Sequence, residues 1–164
     1  MNTSSEFRQL GCQQNHIHPL FGELEYDYDY EEYKTDIIVA ISGKETKVEL
    51  IISEIEEVHC ATYKALMGNW GKIIQNVLQS ILEYQNEEWG ATNHTQSFPF
   101  FKTVDDVLEH TELFGIRLHA HPEQEGQYVI LSFSAECVNN DYRVLSVALI
   151  NEKVAEVTDQ AICD

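Results

Sequence analysis

Ser53–Trp89, SEIEEVHCATYKALMGNWGKIIQNVLQSILEYQNEEW, decides how the rest of the chain is read. Val58, Ala61, Ala65, Leu66, Trp70, Ile73, Ile74, Val77, Leu78, Ile81 and Leu82 recur every three or four residues, the spacing of one helix face. Such a stripe must be buried against another layer. Ser53 and Glu56 have the capping-box spacing and set the expected helix start. Gly68 and Gly71 bracket Asn69 and Trp70, and each glycine costs about 1 kcal/mol relative to alanine, so a kink or break into two helices is expected there. Gly90 marks the expected end.

The flanks of this helix read as strands. Glu23–Tyr30 alternates strictly, with Leu24, Tyr26, Tyr28 and Tyr30 on one face and Glu23, Glu25, Asp27 and Asp29 on the other. Thr35–Ile41 and Lys47–Ile52 are apolar and β-branched, joined by a short hairpin through Ser42-Gly43-Lys44-Glu45. Beyond the helix, Phe98-Pro99-Phe100-Phe101 is an apolar anchor, and Thr103 with Asp106 caps a second, short helix reaching His110. Four more strands follow around Ile116–Ala120, Val129–Ala135, Leu145–Leu149 and Val154–Val157, with turns at Pro122 to Gly126, Asn139-Asn140-Asp141 and Asn151-Glu152. The expectation is an α+β domain in which antiparallel sheet of about seven strands packs on one long, kinked helix and a short one, in the order βββ-α-α-ββββ. Residues 1–18 lack periodicity and are expected to be a flexible tail before a single domain at 19–164.

With 43% apolar residues in 164, the chain can bury one core without staples. No apolar run approaches the roughly 20 residues that span a bilayer. The start, MNTSSEFRQLGCQQNH, has no basic segment followed by an apolar one, so a cytoplasmic protein is expected. Cys12, Cys60, Cys137 and Cys163 are widely spaced and are read as free thiols.

Charge restricts function more sharply. Asp and Glu number 28 against 10 Lys and Arg, a formal net charge of −18. Such a surface repels phosphate backbones and anionic lipid, so neither nucleic acid nor membrane is an expected partner, whereas a basic protein is attracted. Glu23, Glu25, Asp27, Asp29, Glu31, Glu32 and Asp36 place seven carboxylates in fourteen residues, interleaved with Tyr26, Tyr28, Tyr30 and Tyr33. Tyrosine supplies contact area at low entropic cost and the carboxylates steer encounter. Glu23, Glu25, Asp27, Asp29, Glu31, Glu32, Tyr26, Tyr28 and Tyr30 are therefore the candidate partner-binding residues. The competing reading is a sheet edge protected by charge.

His119-Ala120-His121 would place two imidazoles on one strand face, giving a small metal-dependent hydrolase as the alternative function, although that face is expected to be solvated. Cys12, His16 and His18 form a looser set in the tail, without side chains to orient them. His59 and Cys60, adjacent on a helix, diverge by about 100° and cannot act as base and nucleophile together. No G-x-S-x-G, phosphate-binding glycine loop or H-E-x-x-H is present, and no cofactor is expected. A structural or regulatory oligomeric module is the third alternative.

Leu20-Phe21-Gly22, Tyr63, Ile81-Leu82-Glu83-Tyr84 and Ile130-Leu131-Ser132-Phe133, with the strands between, resemble an uncharacterised bacterial family of single-domain α+β proteins, over about Pro19–Asp159. The resemblance implies a role like that of immunity proteins encoded beside toxins. Cys137-Val138-Asn139-Asn140-Asp141 departs from the tryptophan, acidic residues and His-Gly expected after the core strand, and no catalytic residue is implied.

Overall fold

A computed structural model describes residues 16–92, 101–119, 127–136 and 142–159. Four strands come first: β1 (His16–His18), β2 (Gly22–Asp27), β3 (Glu32–Ile41) and β4 (Lys44–Ile52). Three helices follow, α1 (Glu57–Gly68), α2 (Trp70–Thr92) and α3 (Val104–His110). The chain ends in β5 (Thr111–His119), β6 (Tyr128–Glu136), β7 (Tyr142–Ile150) and β8 (Lys153–Thr158). The eight strands of the described residues lie in one sheet in sequential order.

This α+β architecture corrects the expected order and strand count. The additional strand, β1, occupies residues assigned to the tail and pairs His16, Ile17 and His18 with Leu24, Glu23 and Gly22. The sheet is also mixed, because β4 and β5 run parallel through Glu49–Ile52 and Gly115–Leu118 while every other neighbouring pair is antiparallel. Parallel neighbours need a long crossover, and the three helices supply it, returning the chain to the end of the sheet at which β4 begins.

The helices cover one face. Val48, Leu50 and Ile52 of β4, Ile116 and Leu118 of β5, and Val129, Leu131 and Phe133 of β6 share one core with Leu66, Ile73, Ile74, Val77, Leu78 and Ile81. The expected break falls at Asn69, between α1 and α2. Trp70 fixes the start of α2 by donating its indole N–H to the Ala40 carbonyl at 2.8 Å. Residues from Leu66 onward follow the predicted stripe, but α1 is rotated from it: His59 and Thr62 are buried while Val58 and Ala61 are exposed. Thr62 can be buried because its hydroxyl donates to the Val58 carbonyl at 2.6 Å, within its own helix. Glu56, rather than Ser53, is the residue preceding α1, and it makes no side-chain cap.

The short helix begins as its sequence predicts. Thr103 Oγ1 accepts from Asp106 N–H at 3.2 Å, and Asp106 Oδ2 accepts from Thr103 N–H at 3.0 Å. The Lys102 N–H, at 2.8 Å from Asp106 Oδ2, and the Thr103 N–H hold the Asp106 carboxyl below the usual carboxylate range. Phe101 is fully buried and stacks on His110 with ring centroids 5.7 Å apart, while Phe98-Pro99-Phe100 lies outside the described residues. Two-residue turns with both φ angles positive close the hairpins at Ser42-Gly43 (50°, 81°) and Asn151-Glu152 (50°, 68°).

Candidate functional site

The acidic, tyrosine-rich run divides in three dimensions. The strand predicted to reach Tyr30 stops at Asp27. Asp27 Oδ1 accepts from the backbone N–H groups of Asp29 (3.0 Å) and Tyr30 (3.3 Å), a side-chain turn that competes with strand continuation. Glu31 then takes φ 53°, and the chain reverses into β3. Tyr28 and Tyr30 consequently stand at a turn, 44% and 73% exposed, beside exposed Asp29 and Glu31.

Tyr26 behaves differently. Paired with Tyr33 across β2 and β3, it packs edge-on to Tyr33 at 4.8 Å and to Tyr28 at 4.7 Å. Burial, and after it the negative charge of Glu31, raises the Tyr26 pKa. Its contact with Tyr28 braces the turn.

Glu32 and Asp27 oppose one another across β2 and β3, and both take cationic partners from the protein itself. Glu32 is buried, accepts a hydrogen bond from Arg117 of β5, and lies 3.8 Å from Lys34 Nζ. Lys34 donates to Asp27 Oδ2 at 3.0 Å, so one ammonium bridges both acids. That hydrogen bond is the main cause lowering the Asp27 pKa and raising that of Lys34. The Lys34 ammonium also sits 5.3 Å from the Tyr30 ring centroid, tying the exposed ring to the internal pair. Glu23 and Glu25 are exposed along β2.

The histidine candidates are placed elsewhere. His119 ends β5 half-buried, with both ring nitrogens out of contact with solvent and its ring 5.7 Å from Tyr128, contrary to the expected solvated face. His121 lies outside the described residues. His18 Nδ1 accepts from Leu20 N–H (3.1 Å) and Phe21 N–H (3.4 Å), a turn-stabilising role, while Cys12 is outside the described residues. His59 is buried, its Nε2 3.5 Å from Ser53 Oγ, and desolvation lowers its pKa. Among the described residues no group of three or more His, Cys, Asp or Glu is arranged to hold a metal ion. Cys60 is a free thiol, and Cys137 to Asp141 lies outside the described residues, as do Cys12 and Cys163.

Sequence reasoning missed one feature entirely. At the Lys44 end of β4 and the Thr111 end of β5 a cleft of about 720 Å³ opens, flanked by α3 and the end of β6. Glu45, Lys47, Glu109, Glu112 and the His110–Glu136 pair (3.2 Å) lie on its walls. The cleft arises from the parallel pairing, which no local periodicity encodes.

Comparison with known proteins adds a family and no activity. The chain belongs to the family described as Domain of unknown function (DUF6985), which matches residues 20–163. No curated protein and no solved structure matches it. Among the described residues no helix is long and apolar enough to cross a membrane.

Proposed function

We propose that this chain is a non-enzymatic, cytoplasmic bacterial protein that binds a basic protein at the β2–β3 turn. An immunity role, in which the partner is a cationic toxin held inactive, is the specific form of the proposal. The observation that carries it is the pairing of two exposed aromatic rings with carboxylates on an ordered turn: Tyr28 and Tyr30 beside Asp29 and Glu31. Asp27 fixes the backbone of that turn and Tyr26 supports it, so little conformational entropy is lost when a partner docks. Glu23 and Glu25 extend the negative field along β2, and the net charge of −18 steers a cationic partner toward it.

The test is co-purification with the products of adjacent genes over a series of salt concentrations, comparing the natural chain with Tyr28→Ala/Tyr30→Ala. The expected result is a basic partner retained at low salt, released as salt rises, and lost with the double substitution. Salt-insensitive capture, capture unaffected by the substitutions, or an oligomer that occludes both tyrosines counts against the proposal.

A further inference from the structure

The cleft between β4 and β5 is a break within a sheet, and its two walls are strand edges. Parallel pairing begins only at Glu49 with Gly115, leaving Lys44–Val48 and Thr111–Phe114 facing across the opening. A register irregularity between Leu113 and Gly115 lies where the strands part, and an extra residue of this kind bends a strand away from its neighbour. The turn at Ser42-Gly43 makes Ile41 and Lys44 the pair that exchanges both hydrogen bonds, so Lys44, Thr46 and Val48 bond to β3. The backbone N–H and C=O groups of Glu45 and Lys47 therefore point toward β5, where among the described residues they have no backbone partner. Opposite them, Thr111, Glu112 and Leu113 already pair with β6 along their far side.

Charge narrows the occupant. His110 is paired with Glu136, and Lys47 with Asp36 at 3.2 Å. Glu45, Glu109 and Glu112 remain on the walls against Lys44, an excess of negative charge. The volume, about 720 Å³, falls within the roughly 300–1,000 Å³ of ligand-binding clefts.

We infer that this cleft receives an extended, lysine- or arginine-bearing peptide segment of a partner protein, which pairs through its backbone with the Glu45–Lys47 edge and through its cations with Glu109 and Glu112. Added strands gain affinity from main-chain hydrogen bonds and specificity from alternating side chains. The site is independent of the β2–β3 turn, which precedes β3 whereas the cleft begins beyond its far end.

The test is amide hydrogen exchange of the full chain with a capped peptide of alternating valine and lysine. At about ten times its Kd the peptide is expected to slow exchange at Glu45 and Lys47 roughly tenfold. A valine–glutamate peptide, or the valine–lysine peptide with alternate backbone nitrogens methylated to remove their donors, is expected to give no protection. Glu109→Lys/Glu112→Lys, changed at exposed positions, is expected to abolish protection by the lysine peptide without unfolding the chain. No protection at any peptide concentration, or equal protection by the methylated peptide, overturns the inference. Protection that grows with protein concentration alone assigns the cleft to a second copy and also overturns it.

Discussion

Glu32 and Glu31 are adjacent carboxylates with opposite fates. Glu32 is buried, hydrogen-bonded to Arg117 and close to Lys34, whereas Glu31 is exposed on a turn between two tyrosine-rich segments. Asp27 and Asp29 repeat the contrast two residues apart: Asp27 binds Lys34 and two backbone amides, and Asp29 faces solvent. The run of acids therefore divides into two sets. One set pairs with Lys34 and Arg117 and shapes the turn, and the other is exposed to solvent.

Breaking the internal set has the largest expected effect. Glu32→Ala strands Arg117 and leaves Lys34 to Asp27 alone, and the cost is expected to be about 3 kcal/mol, the lower end for breaking a buried pair because Arg117 remains partly solvated. Urea unfolding measures it, and a double-mutant cycle with Arg117→Met separates the pair from the lost side chain. A loss no greater than that from Glu31→Gln would erase the contrast.

Next in size is a pH effect. Lys34's hydrogen bond holds the Asp27 carboxyl below its ordinary range, so its stabilisation is complete above about pH 3.9 and is lost as pH falls through the lower folded value. The same bond raises Lys34, whose contribution is complete below about pH 10.4 and is lost as pH climbs through the higher folded value. Asp27→Asn is expected to flatten both limbs in urea midpoints measured against pH.

Tyr30→Ala removes an exposed ring near Lys34 and is expected to cost only about 0.5 kcal/mol in the same unfolding assay, the scale of an exposed cation–ring contact. Smallest is Asp29→Asn/Glu31→Gln. Stability is expected to stay within about 0.5 kcal/mol, as for exposed sites generally, while the salt dependence of partner binding becomes shallower. A larger stability loss in either would place the turn among the structural elements.

What sequence could reveal follows the range of the interactions involved. The helix break beside Gly68, the capping box at Thr103 and the Ser42-Gly43 hairpin depend on residues a few positions apart, and each was legible. β1 was not, because three residues are too short to display alternation. The rotation of α1 escaped detection because it buries His59 and Thr62, polar residues that a count of apolar positions assigns to solvent. The parallel β4–β5 pair, and the cleft it creates, depend on where a three-helix crossover returns the chain. The acidic run itself was plain, but its division was hidden: Arg117, which claims Glu32, lies 85 residues away.

The division can be read directly by two-dimensional NMR of the full chain titrated with a lysine-rich peptide. The predicted result is saturable, salt-sensitive shifts of the Tyr28, Asp29, Tyr30 and Glu31 amides, with Glu32 and the Arg117 guanidinium unchanged. Shifts spread evenly over every acidic position, or a response at Glu32 and Arg117 equal to that at the turn, would contradict it.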